Sequence, residues 1–295
     1  MTCALTEAVG GVRCFGYGLE GAMGDGTTAD RLSPPSSDQL TGVSKLAVGS
    51  SGHVCVIMVS NGGVRCWGFN GGGQCGNGGT SNVLTIPSTD VLTGAAEIDG
   101  GGQHTCALMA GAGVGKGMRC WGGGSSGQLG NGYTTDVLTP PVSDTLTGVA
   151  KVVAGYWNTC VIMAASNGLR CFGRAVYGVN GNGDTTNDVV SVPAGDILTG
   201  VADVVLGDSF ACALMLANSG VRCWGSSMDG ALGVEPPVTV VLVPPSNDVI
   251  TGVQQLAADF WHVGVVLETS LVVKCWGYNQ DGELGNGNTN TVYSP

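Results

Sequence analysis

The sequence predicts an all-β fold, a β-propeller with blades of about 50 residues, and three observations predict it. One phrase returns six times: VRCFG at 12–16, GVRCWG at 63–68, MRCWG at 118–122, LRCFG at 169–173, VRCWG at 221–225 and VKCWG at 273–277. Glycine supplies 53 of 295 residues, far above an ordinary share, while 43% of the chain is still hydrophobic, so the chain is turn-rich and not disordered. No ten-residue stretch free of glycine carries a helical period.

The cysteines of the phrase, Cys14, Cys66, Cys120, Cys171, Cys223 and Cys275, lie 52, 54, 51, 52 and 52 residues apart. A second phrase keeps step: LTGV at 40–43, LTGA at 92–95, LTGV at 146–149 and 198–201, ITGV at 250–253. A third runs GQCGNG at 73–78, GQLGNG at 127–132 and GELGNG at 282–287, more loosely GAMGDG at 21–26. The elements of one unit follow in order. LTGVSKLAVG is a strand entered from a turn, and HVCVIMVS is apolar enough to be a buried strand. SNGG is a turn in which glycine takes positive φ, and VRCWG is the strand that returns. FNGGGQCGNGG is a glycine loop, and TIPSTD a connection in which Pro87 suits only an edge or a loop. Each unit is thus three or four short antiparallel strands. The units run 40–91, 92–145, 146–197 and 198–249, with partial units 1–39 and 250–295, in a single domain 1–295. Six repeats make a ring of six blades or an incomplete seven. Six VRCWG-type phrases stand against five LTG-type phrases, so the chain is expected to continue past both ends, or neighbouring subunits to cover open blade edges.

The series CALM, GVRCWG, GQLGNG, LTGV and LAxG, at fixed offsets through the whole chain, resembles the repeat of the regulator of chromosome condensation family. The resemblance implies a β-propeller, most often seven-bladed. The family's founding member exchanges guanine nucleotide on a small GTPase and sits on chromatin, while other relatives include extracellular bacterial proteins and a proteinaceous β-lactamase inhibitor. The paired cysteines are similar to the secreted branch.

Each phrase cysteine but the last has an earlier companion: Cys3/Cys14, Cys55/Cys66, Cys106/Cys120, Cys160/Cys171 and Cys212/Cys223. In a hairpin closed by SNGG, Cys55 opposes Cys66 and Val56 opposes Arg65, within reach of a disulfide. Five cross-strand disulfides are expected, the third around a turn lengthened by three residues at 110–117. Reduced buried thiols are the plainer alternative, and a metal site would need four ligands that these pairs do not bring together. Disulfides imply an oxidising compartment, so the protein is expected outside the cell or at its surface. Cys75 and Cys275 are left as unpaired thiols, Cys75 filling the place of a leucine and Cys275 facing Gly264.

Chemistry is sparse. His53, His104 and His262 share one position in three units, where a strand-end hydrogen bond is the expected role and proton sensing the alternative. No nucleophile has a companion His and Asp in a recognisable phrase. Were there an activity, His104 and Asp99 would be the first suspects. Asp38, Asp90, Asp144, Asp196 and Asp248 precede the LTG phrases and are expected to close Asx turns. Calcium at GDGTT (24–28) or NGDTT (182–186) would find too few ligands. The recurring Trp and Phe are expected to pack between blades. The further aromatics Phe69, Tyr133, Tyr156, Trp157, Phe260 and Trp261 are scattered among units, which argues against a clustered binding face. The Ser/Thr/Pro connections, at Ser33, Ser36, Ser37, Ser88, Thr89, Thr139 and Ser143, are expected to be exposed and open to O-glycans. No N-x-S/T sequon occurs.

A net charge of −11 makes nucleic acid a poor partner, and no window is apolar enough for a membrane span. The start MTCALTEAVGG has neither the basic nor the apolar region of a signal peptide. No catalytic, metal or cofactor-binding residue is expected, and no cofactor. The function expected is a non-enzymatic extracellular structural or adhesive protein, a subunit of a surface filament or matrix. The alternative is a soluble, inhibitor-like propeller that covers a partner's site with one face. A lyase or hydrolase working in the channel fits least. The partner is a protein or further copies of the chain.

Overall fold

Every unit repeats one hairpin logic, and its strands carry the register the cysteines require. In the computed structural model residues 1–6, 9–111, 113–236 and 239–295 are described. Ala112, in the lengthened turn of the third unit, lies outside them. The first unit holds β1 (Thr2–Thr6) and β2 (Gly11–Phe15). The second holds β3 (Val43–Val48), β4 (His53–Met58) and β5 (Val64–Gly68), and the third β6 (Ala95–Gly100), β7 (His104–Met109) and β8 (Lys116–Gly122). The fourth holds β9 (Leu146–Ala154), β10 (Asn158–Met163) and β11 (Leu169–Gly173). The fifth holds β12 (Val201–Leu206), β13 (Phe210–Met215), β14 (Val221–Ser226) and β15 (Val240–Val241). The sixth holds β16 (Val253–Ala258), β17 (His262–Leu267) and β18 (Val273–Gly277).

Neighbouring strands are antiparallel, with Cys55 opposite Cys66 and Val56 opposite Arg65 as the hairpin count requires. All five cysteine pairs stand at bonding distance, with Cα atoms 4.1–4.2 Å apart. Among the described residues a fourth strand is complete only as β15; elsewhere it is a single bridge, as in Gly68–Val83 and Gly122–Val137. The LTG phrase is not simply the start of its own unit. Its leucine bridges to the third strand of the unit before, as in Val64–Leu92 and Leu169–Leu198. Between β8 and β9 this bridge extends into a ladder, which fuses the third and fourth units into one six-stranded sheet.

Blade-to-blade packing follows from the alternation of cysteine and tryptophan. Side chains of a strand point to opposite faces in turn, so Cys66 faces the next blade and Trp67 the previous one. Trp67, Trp121, Trp224 and Trp276 are fully buried. Each indole N–H donates to a carbonyl in the preceding unit's glycine phrase, on Ala22, Gln74, Val179 and Ala231, at 2.9–3.1 Å. Phe172 has no such donor; Gln128 O accepts from the Thr159 hydroxyl at 2.8 Å, as Gln74 O accepts from the Thr105 hydroxyl beside Trp121. The glycine after each of these phrases makes the socket. Gly76 has φ +71°, and a Cβ there would sit 2.7 Å from Trp121 Nε1.

The five aspartates ahead of the LTG phrases do not close Asx turns. Each accepts from the arginine of its own unit's VRCWG phrase: Arg13–Asp38, Arg65–Asp90, Arg119–Asp144, Arg170–Asp196 and Arg222–Asp248, at 2.6–2.8 Å. An ion pair reaching across the unit outcompetes a local turn because the guanidinium is a stronger donor than a backbone amide. Burial pushes Asp90 and Asp248 up, but bonds from Arg65 and Asn61, and from Arg222 and Asn218, outweigh it and hold both below the ordinary range. Asx turns do form, at the loops weighed for calcium. Asp25 accepts from the Thr27 amide and hydroxyl, and Asp184 from the same groups of Thr186.

Candidate functional site

The first strands of units two to six line a central channel, and the turns leaving them form its mouth. An extra residue near the start of each of these strands shifts the register, between Val43 and Lys45, Ala95 and Glu97, Val149 and Lys151, Val201 and Asp203, and Val253 and Gln255. Such bulges re-aim the side chains beyond them. Lys45, Glu97 and Lys151 line a cavity on the channel wall, where Lys116 pairs with Glu97 and Lys151 with Asp203. Nearer the mouth stands Asp99, whose carboxylate accepts from the Ala154 amide of the next blade at 2.8 Å and from the Gly100 amide at 3.0 Å. Burial pushes its pKa up to about 6, against those two bonds and the nearby Lys151.

The mouth carries aromatic rings in an unbroken row. Trp157 meets Tyr156 at 5.0 Å between centroids, Tyr156 meets Phe260 at 5.2 Å, Phe260 meets Trp261 at 5.6 Å and Trp261 meets Tyr278 at 5.2 Å. The Arg174 guanidinium lies 5.8 Å from the Trp157 ring centre. The scatter of aromatics along the sequence is therefore not a scatter in space. Tyr156 and Phe260 each lie four residues before the first cysteine position of their units, at Cys160 and Gly264. The fifth unit has the small turn Gly207–Asp208–Ser209 between them, and the Asp208 amide donates to Phe260 O at 3.0 Å. Rings from blades four and six meet above that small turn. Phe69 and Tyr133 stand apart from the row, Tyr133 exposed on a glycine loop. Trp261 is 41% exposed, enough ring surface to meet a partner.

Carboxylates fringe the row. Burial raises Asp208, with Arg174 opposing, and burial and the neighbouring Asp208 raise Asp229. The Tyr278 hydroxyl is raised by loss of water and by Asp281, Glu283 and Asp229. The channel-mouth cavity, about 240 Å³, is lined by Ser50, Asp99, Asp208, Asp259, Tyr156 and Phe260, among others. On its far side Asp259 and Phe260 of the last unit face Met1 and Tyr17 of the first across a cavity of about 500 Å³.

The histidines do not build a catalytic site. His53 Nε2 lies 3.1 Å from Thr105 Oγ1 and His104 Nε2 lies 2.8 Å from Thr159 Oγ1, each bond crossing to the next blade. Thr105 and Thr159 hydroxyls donate to Gln74 O and Gln128 O, so the imidazoles are the donors and carry hydrogen on Nε2. Burial lowers the pKa of His53 to about 4, and burial with the neighbouring His53 lowers that of His104 to about 3. His262, half-buried, makes no such bond among the described residues. Nor does any group of three His, Cys, Asp or Glu side chains gather at metal-binding distance among them. Cys75 is fully buried, and burial pushes its thiol up to about 12, while Cys275 is half-buried opposite Gly264. Ser33, Ser36, Ser37, Ser88, Thr89, Thr139 and Ser143 are all exposed. No described helix is long and apolar enough to cross a membrane.

The repeat described as Regulator of chromosome condensation (RCC1) matches residues 120–162, from the third strand of one blade to the second strand of the next. The chain carries at least one repeat of this family. It is 30% identical over 306 residues to the E3 ubiquitin-protein ligase HERC2 of Homo sapiens, covering 100% of this chain and 6% of the ligase. It is 25% identical over 295 residues to the Ultraviolet-B receptor UVR8 of Arabidopsis thaliana, covering 97% of this chain and 65% of the receptor. The chain thus spans a small fraction of one relative and about two thirds of the other. Human WBSCR16 superimposes with a TM-score of 0.79 at 20% identity, covering 96% of this chain and 75% of that one, a likeness of fold.

Proposed function

We propose that this chain is a non-enzymatic protein-binding propeller that holds its partner over the channel mouth and works in an oxidising compartment, outside the cell or on its surface. The observation that carries the binding role is the ring row from Trp157 to Tyr278, half-buried along its length with Trp261 exposed, and flanked by Arg174. Aromatic and arginine side chains dominate the energetics of protein interfaces because they bury large area at small cost in conformational freedom. Repeat relatives that are receptors and ligase segments fit a binding role for the fold. The compartment rests on the five cysteine pairs, which a reducing cytosol would hold open.

A photo-crosslinking residue placed at Trp261 tests the face, with the same residue at Tyr133 as the control. The partner from the native source should be trapped at Trp261 and not at Tyr133; trapping at Tyr133 alone, or at neither, removes the reading. A second reading, a subunit of a filament or matrix, is favoured by exposed Leu271, Val272 and Val273 in the last unit. Light scattering on the isolated chain separates the two: a concentration-independent monomer refutes the filament.

A further inference from the structure

This inference rests on the mouth being a protein-binding face, and it names what the partner brings there. The mouth is rich in rings and carboxylates and short of cations. The arginines of the VRCWG phrases are held by their own aspartates, Arg31 by Asp25, and Lys116 and Lys151 by carboxylates of the channel. Among the described residues, Arg174 is the cation that reaches the row, and it lies over Trp157. Asp208, Asp229 and Asp259 have no ion-pair partner among the described residues. Asp259 and Asp208 border the mouth cavity together with Tyr156 and Phe260, and Asp99 stands deeper in it.

We infer that the mouth receives a basic segment of a partner protein, one lysine or arginine side chain entering the cavity between Asp208 and Asp259 while its neighbours lie along Phe260 and Trp261. Three physical points select this occupant. The cavity between Asp208 and Asp259, about 240 Å³, has room for one long side chain. A cation over an aromatic face gains from the ring quadrupole, and the gain grows where water is displaced. A second copy of this chain, at net charge −11, would set carboxylates against carboxylates, and nucleic acid would be repelled for the same reason. A basic segment is drawn in by the same field, which also speeds its association.

The probe is a fluorescein-labelled peptide, Gly-Arg-Lys-Arg-Gly, read by anisotropy against the disulfide-intact chain at low salt. A second peptide carries citrulline and norleucine in place of the three basic residues. The double variant Asp208→Asn with Asp259→Asn should weaken binding of the basic peptide at least about tenfold, and Trp261→Ala several-fold. The double variant Glu235→Gln with Glu268→Gln removes the same charge away from the mouth and should change binding less than about twofold. The citrulline peptide should not bind. Each variant is accepted only if its thermal melt matches wild type. Equal losses in the two double variants would reduce the effect to net charge and overturn the inference, and so would absence of binding by the basic peptide. If the crosslink at Trp261 holds while the peptide fails, the face survives and the basic segment falls; if the crosslink fails, the face itself falls.

Discussion

Replacing His104 by asparagine, the residue the fourth unit carries at the same position, should flatten the acid sensitivity of the fold. His104 is fully buried, donates across the blade boundary to Thr159, and has a pKa lowered to about 3. In the unfolded chain the imidazole titrates near 6.5. A depressed folded pKa means that the stability contributed is present above pH 6.5 and is lost as pH falls toward the folded value. Between pH 8 and pH 5 the unfolded state gains a proton that the folded state refuses, which costs about 2 kcal/mol. His53, with its pKa lowered to about 4, adds a similar loss of about 2 kcal/mol over the same interval. Asp99 works in the opposite direction. Its folded pKa of about 6 exceeds the unfolded value, so the folded state takes up the proton first and gains about 1 kcal/mol by pH 5. Wild type should therefore lose about 3 kcal/mol from these three groups between pH 8 and pH 5. His104→Asn should lose about 1, and His53→Asn with His104→Asn should gain about 1. The assay is guanidinium unfolding, disulfides intact, at both pH values for all three proteins. Other titrating groups cancel in the differences between variants. If His104→Asn shows the wild-type change with pH, the imidazole is protonated in the folded state and the burial account is wrong.

Three further outcomes check other parts of the structure. Mass spectrometry of a non-reduced digest should recover the five linked peptides, and Cys55→Ala with Cys66→Ala should cost roughly 2–3 kcal/mol; free thiols at these positions in native material would remove the oxidising compartment. Gly76 and Gly285 hold the same place in the glycine phrase, at φ +71° and +63°, but only Gly76 meets a tryptophan, so Gly285→Ala should cost about 1 kcal/mol and Gly76→Ala about 3 or more, read as melting temperatures. Glycopeptide mapping of the protein from its native source should find hexose-bearing forms of the exposed loops that hold Ser33, Ser88 and Thr139, and unmodified peptides throughout exclude the O-glycans.

What the sequence revealed and what it hid divide along one physical line. A contact inside a hairpin depends on one unit alone. The SNGG turn sets the register, the register sets Cys55 against Cys66, and alternation sends Trp67 to the other face, so blades, pairs and buried tryptophans are all legible from a single repeat. A contact between blades depends on two units at once, and residues far apart in number meet because ring geometry returns equivalent positions to one rim. Tyr156 and Phe260 are far apart in number, but once their units are aligned they share an offset from the cysteine position, with the small turn of the fifth unit between them. The histidines obey the same rule. Where a unit begins its second strand with His53 or His104, the next unit answers with Thr105 or Thr159; where it begins with Asn158 or Phe210, the answer is Ala211 or Val263. The buried imidazoles find their acceptors across the boundary; Asn158 donates within its own unit, to Arg174 O and Asn180 Oδ1, Phe210 has no donor, and in both cases the facing residue is apolar. The Arg–Asp clamps were equally open to this alignment, since each arginine of a VRCWG phrase is followed 25 or 26 residues later by its aspartate. An Asx turn is the local expectation for an aspartate in a proline-rich loop, and it fails here because a guanidinium held by the sheet is the better partner. In a ring of repeats the informative comparison is thus between each unit and the one that follows it, which is where the stabilising bonds and the candidate binding face both lie.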